Sequence, residues 1–246
     1  MRFITYHKAD RDTEASVLPG QELIAAMGGL IGEMAQAGVF EGGDGLRASS
    51  FGVRADYSNG KRSLTAGPFT GGNELPAVIV VVKIANRDAA LPWTDRYAQI
   101  YGDIEIDIRP MHEAWHMGMM PAPPAGTPER WMLQIKANAA SEAGQALSAA
   151  QRRQLQALHE EMKQAGVFLT AEFIRPSREG VRAQYRKGEE PRVIDGPFAE
   201  SKELIAGYCI FKVKDLAEAQ AWCKRFGDCF PQVEVDIRPL DAAPTA

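Results

Sequence analysis

Five residues, His112-Glu113-Ala114-Trp115-His116, spell H-E-x-x-H; on a helix the two imidazoles would share a face and bind zinc, with the glutamate as base. The surroundings do not supply that helix. The segment lies between Pro110 and Pro121, with Gly118 inside, and neither a metal nor a cofactor is expected. Proton chemistry has better candidates in Asp195 and His159. Asp195 opens the run Asp195-Gly196-Pro197-Phe198, a tight corner that would hold its carboxylate at a strand end as a general acid or base. The same residues also read as an Asx-type turn, the carboxylate capping backbone N–H groups. His159 falls on a helical apolar stripe between Leu155 and Met162. An imidazole there either carries a proton near neutral pH or is a hydrogen-bonded residue at the edge of the core.

Charged residues that would bind an anionic substrate recur at matched positions. Lys136 stands at the end of an apolar strand, Glu172 at the end of the next, Arg182 on a third, and Asp236 and Arg238 on the last; Lys8, Asp44, Arg54, Asp107 and Arg109 are their counterparts earlier in the chain. In the last strand Glu234, Asp236 and Arg238 alternate with apolar residues, so they share one face. That face looks either to solvent or into a polar space between two sheets, where its charges would have to be paired.

The counterparts belong to a repeat that runs nearly end to end. Lys8 answers Lys136, an offset of 128, and Glu33-Met34-Ala35-Gln36-Ala37-Gly38-Val39-Phe40 agrees with residues 161–168 at seven of eight positions. One residue is then inserted: from Gly67, which answers Gly196, the offset is 129. A period this long fits two whole domains. Residues 1–118 and 129–246 are read as the domains and 119–128, rich in Pro and Gly, as a semi-rigid linker.

The elements that must position these residues follow from periodicity. Phe3 to Lys8 reads as a strand, about Gln21 to Gln36 as a helix, and Phe51 to Tyr57 with Lys61 to Thr65 as a hairpin around Ser58-Asn59-Gly60. Pro76 to Ile84 and Ile205 to Val213 are apolar runs that suit strands covered on both faces. A second helix, Asp88 to Tyr101 or Leu216 to Phe226, and a closing strand complete each copy. Each domain reads β-α-β-β-β-α-β, an α+β sheet with two helices on one face, close to the ferredoxin-like plan.

Composition fits two such domains: 246 residues, 45% apolar and 24% charged. A net charge of -4 without a basic run argues against nucleic acid, and no window suits a membrane span or a signal core. A cytoplasmic location is expected. Three cysteines without a C-x-x-C pair suggest neither a disulfide framework nor a zinc site.

On Asp195-Gly196-Pro197-Phe198-Ala199-Glu200, with Lys202-Glu203, the strand ending Arg238-Pro239 and the Lys136-Ala137…Glu142-Ala143 loop, the second copy resembles the YCII-related family, often called the DGPF family. The resemblance extends to the first copy, where Ala66 replaces the aspartate and puts any Asp-dependent role of that copy in doubt. It implies two tandem ferredoxin-like domains of the dimeric α+β-barrel type, similar to muconolactone isomerases, with two sheets facing each other; it implies no particular reaction. Two functions remain open. One is an isomerase- or lyase-like enzyme in which Asp195 and His159 move a proton while Lys136 and Arg182 hold a small anionic metabolite. The other is a non-catalytic ligand-binding or regulatory module linked to transcription, since some family members are fused to sigma factors. The tethered halves are expected to pack sheet to sheet as a pseudo-dimer, with homodimerisation of the chain a further expectation.

Overall fold

The computed structural model describes residues 1–70, 72–198 and 201–242. The first half runs β1 (Arg2–Lys8), a single turn α1 (Arg11–Glu14), α2 (Gln21–Gln36), β2 (Phe40–Gly45), β3 (Val53–Ser58), β4 (Lys61–Ala66), β5 (Pro76–Ile84), α3 (Leu91–Tyr101) and β6 (Ile104–Pro110). The second repeats the order with β7 (Glu129–Lys136), α4 (Ala139–Glu142), α5 (Ala149–Gln164), β8 (Phe168–Ile174), β9 (Val181–Arg186), β10 (Arg192–Asp195), β11 (Ile205–Lys212), α6 (Leu216–Gly227) and β12 (Gln232–Asp241). No described helix is long and apolar enough to cross a membrane.

Local chemistry accounts for the boundaries. Asn59 and Gly60 take positive φ angles of 52° and 71°, as the tight β3–β4 turn requires. Ser148 caps α5 through the backbone N–H of Gln151 at 3.2 Å, and Gly166 follows that helix with φ 70°. The expected hairpin arm Lys61 to Thr65 is β4, and with its counterpart β10 each half carries six strands, one more than the β-α-β-β-β-α-β plan counts.

All the strands pair antiparallel, but not half by half. One group is ordered β4-β3-β6-β7-β5-β8 and the other β10-β9-β12-β1-β11-β2. Each thus takes its first strand–helix–strand unit from the opposite half: β7 lies between β6 and β5, and β1 between β12 and β11. The sheet membership expected from the repeat is corrected accordingly. β3 through β8 form a group contiguous in sequence, while the other group is assembled from the two ends of the chain. Two short joins link the groups, Leu240 and Asp241 of β12 with Ile174 and Phe173 of β8, and Leu46 with Met111.

Three apolar clusters fill the layers. Leu133, Ile106 and Val80 meet Tyr97 of α3 and Leu158 of α5 on one outer face. Phe3, Val235 and Phe211 meet Met34 of α2 and Cys223 of α6 on the other. Ile4, Tyr6 and Ile210 meet Ile79, Val81 and Met132 between the sheets. Both faces of β5 are therefore covered, which is why its five residues from Val78 to Val82 are all apolar.

Residues 129–246 expressed alone would lack β1, α2 and β2, and would leave β7 without β5 and β6. Because β7 has the pattern of β1, a second copy can supply the missing strands. We expect this fragment to be a dimer by size-exclusion chromatography with light scattering; a stably folded monomer would contradict the exchanged pairing.

Candidate functional site

The charged face of the closing strands points between the sheets. Asp107 and Asp236 are wholly buried, as are Arg109 and Arg238. Solvated alternation is thereby excluded for these residues, and each charge has a partner.

In the second half, Arg182 lies directly across from Asp236 in the β9–β12 register. Its Nε donates to Oδ1 at 2.6 Å and its Nη2 to Oδ2 at 2.9 Å, a bidentate pair of the strongest kind for two side chains. Lys8 of β1 reaches the same carboxylate from the other side: Nζ donates to Oδ2 at 3.0 Å and to Ser201 Oγ at 2.6 Å. Half-buried Glu234 lies 3.3 Å from Arg182 Nε. Burial pushes the Asp236 carboxyl up, but the Arg182 hydrogen bonds and the Lys8 charge outweigh it, and its pKa lies below the ordinary range. Burial, reinforced by the charge of Arg182, holds Lys8 below an ordinary lysine despite Asp236.

The first half repeats the arrangement with one change. Arg54 makes the bidentate pair with Asp107, at 2.6 and 2.9 Å, and Lys136 of β7 lies 3.1 Å from Asp107 Oδ2. Here Glu74 enters the cluster, accepting from Arg54 Nη2 at 2.8 Å and from Lys136 Nζ. The two loops touch where they diverge: Glu74 N–H donates to the Ser201 carbonyl at 2.7 Å, and Ser201 N–H donates to Asn73 Oδ1 at 3.1 Å.

The Gly-Pro-Phe corners support both arginines from below. Phe198 lies 4.5 Å beneath the Arg182 guanidinium and Phe69 4.6 Å beneath that of Arg54, contacts worth about 0.5–2 kcal/mol each. Each phenylalanine N–H donates to a buried serine hydroxyl, Phe198 to Ser177 Oγ and Phe69 to Ser49 Oγ, both at 3.0 Å. Those hydroxyls donate in turn to Glu142 and Glu14, and the same carboxylates receive Arg238 Nη2 at 3.2 Å and Arg109 Nη2 at 3.4 Å. Glycine precedes both prolines because its backbone runs against the serine turn. A Cβ at Gly196 or Gly67 would lie 1.8 Å from the Ser177 or Ser49 carbonyl oxygen. Both Gly–Pro peptides are cis.

Of the residues expected to act on a substrate, only Arg182 and Asp236 come together. Lys136 joins the first-half cluster, because β7 belongs to the other sheet. Glu172 accepts both Nη groups of Arg2 at 2.8 Å, tying β8 to β1 across the sheets, as Arg130 does with Asp44 at 2.7 Å. Arg238 also donates from Nε to the Arg175 carbonyl at 2.9 Å. Asp195 is exposed at the end of the edge strand β10, opposite Val181. His159 lies in the helix layer, its Nε2 2.9 Å from Tyr97 Oη and its ring 4.8 Å from that of Phe168; burial pushes its pKa down to about 4. Lys8, Ser201 and Glu74 complete the clusters. Lys8 and Glu74 recur in the repeat, but Lys8 enters its cluster only through the exchanged strands, and Glu74 is buried where its counterpart Glu203 is exposed.

The H-E-x-x-H segment forms turns rather than a helix. Glu113 accepts the Arg130 backbone N–H at 2.8 Å, and His116 Nδ1 accepts from Glu113 N–H at 3.1 Å. Among the described residues no group of His, Cys, Asp or Glu is arranged to hold a metal. Ala199 and Glu200 of the corner motif, and Gly71, lie outside the described residues.

Residues 130–235 match the family model of the YCII-related domain. The match supports the YCII-related family for this part of the chain, which carries the Arg182 corner and begins on β7 of the opposite sheet. No curated protein and no solved structure matches the chain.

Gly196→Ala should destabilise the protein by about 2–4 kcal/mol in denaturant titration, in the range of a forced steric shift in a packed interior. Gly20→Ala, whose added carbon meets nothing within 4 Å, is the control. A Gly196→Ala cost no larger than the control would contradict the close-approach role of this glycine.

Proposed function

We propose that the second-half cluster binds a small anionic metabolite between Lys8 and Arg182, within a tandem pair of YCII-related domains (1–118 and 129–246, joined by 119–128) folded as an intramolecular pseudo-dimer of the α+β-barrel type. The observation that carries this reading is a surplus of donors: Lys8 and Arg182 share the wholly buried Asp236 carboxylate, and half-buried Glu234, 3.3 Å from Arg182 Nε, balances the charge without occupying the remaining N–H groups. Lys8 spends two of its three N–H donors on Asp236 and Ser201, and Arg182 keeps Nη1 without a hydrogen-bond partner among the described residues. These donors favour an anion. The matched corners, braces and joins of the two halves support the pseudo-dimer.

For an isomerase- or lyase-like reaction, Lys8 is the group placed to move a proton. Burial and Arg182 already hold its ammonium below the usual lysine range, which makes the ammonium that binds the anion a better proton donor to it. Asp195 on its exposed edge and His159 behind the other sheet do not approach this cluster in the same way.

A panel of small carboxylates, phosphates and sulfonates, screened by thermal unfolding, should reveal a ligand that raises the transition temperature. Arg182→Lys and Lys8→Gln should weaken that ligand at least about tenfold, roughly 1.4 kcal/mol. In deuterated water, NMR should show deuterium entering the bound ligand in the native protein and not in Lys8→Gln. Binding without exchange would leave the non-catalytic module standing; no stabilising ligand in the panel would contradict the site.

A further inference from the structure

We propose that Glu74 is a built-in carboxylate ligand of the first cluster, and that the second cluster takes the carboxylate of an incoming molecule in the corresponding place. This deepens the anion-binding reading above and rests on it. The two clusters share a framework of arginine, aspartate, lysine and phenylalanine: Arg54, Asp107, Lys136 and Phe69 in one, Arg182, Asp236, Lys8 and Phe198 in the other. What differs is the further partner of the lysine, beside the 3.5 Å approaches of Lys136 to Glu105 and to the Asn73 carbonyl. On Lys136 it is the Glu74 carboxylate, which spans to Arg54 with its other oxygen and is 2% exposed. On Lys8 it is the Ser201 hydroxyl, while Glu203, the counterpart of Glu74 in the repeat, is exposed.

The position of Glu74 defines what the framework accepts. One planar carboxylate bridges an ammonium and a guanidinium, an oxygen to each, with a second carboxylate already bound beside it. A singly charged two-oxygen group fits that arrangement. A phosphate brings more charge and a third or fourth oxygen against the neighbouring aspartate, and these have no matching donors in the Glu74 geometry. Ser201 is shorter than glutamate and bonds Lys8 without an accompanying bond to Arg182, so the bridge that Glu74 makes in the first cluster is not made by Ser201 in the second.

Glu74→Ala tests this directly. Isothermal titration with sodium acetate should give one equivalent per native chain and two per Glu74→Ala chain, and acetate should restore most of the thermal stability lost by the variant. Sodium phosphate at equal ionic strength should do neither. Glu74→Gln, which keeps the volume, should remain at one equivalent. Should Glu74→Ala not fold unaided, its refolding yield in acetate against phosphate gives the same readout, and refolding in neither salt overturns the proposal. Equal rescue by phosphate, or no gain over the native stoichiometry, overturns it as well. A native chain that binds no anion at all removes the reading of the second cluster, whereas native binding with no gain in Glu74→Ala removes only the built-in ligand.

Discussion

A carboxylate with no access to water, clamped by an arginine on the neighbouring strand, governs how this protein is put together. Arg182–Asp236 and Arg54–Asp107 are cross-strand pairs facing the space between two sheets. Taking such ions out of water costs several kcal/mol per ion, and geometry must recover it. Bidentate hydrogen bonds recover part. A phenylalanine under each guanidinium and a lysine beside each carboxylate supply more. Removing one partner would strand the others, so the corner, the serine turn and the glutamate brace all act on a single requirement, holding the arginine in place.

The lysine makes the pairs a constraint on topology. Lys8 reaches Asp236 and Lys136 reaches Asp107, so each cluster is closed by a residue from the opposite half. That follows from β1 lying beside β12 and β7 beside β6. Arg2–Glu172 and Arg130–Asp44 repeat the crossing at the outer ends of the same strands. The sheets are thus held by ion pairs as well as by the apolar contacts of Ile4, Tyr6, Ile79 and Met132.

Much of this architecture was legible in residue order. The covered run of β5, the Asn59-Gly60 turn and the alternating closing strands follow from local preferences that tertiary contacts do not oppose. The buried fate of Asp236 and Arg238 was one of two outcomes that alternation allowed, and the second sheet decided it. Strand exchange was not legible. In a repeat, β1 and β7 carry the same pattern, so periodicity satisfies both pairings equally. That ambiguity moved Lys136 out of the expected site and brought Lys8 in. Gly196 was legible as a turn residue, but its closeness to the Ser177 carbonyl is a tertiary fact. Glu74 and Glu203 are counterparts in the repeat, yet Glu74 is buried in a cluster and Glu203 is exposed, a difference that no spacing rule encodes.

The most direct measurement of the central claim is a pair of double-mutant cycles on stability. Lys8→Met is combined with Asp236→Asn in one cycle and with Asp107→Asn, the aspartate of its own half, in the other. Crossed clusters predict a coupling of about 1 kcal/mol or more between Lys8 and Asp236, and additivity within about 0.5 kcal/mol between Lys8 and Asp107. Coupling of Lys8 to Asp107, with additivity toward Asp236, would show each half closing its own cluster and would contradict the exchanged sheets.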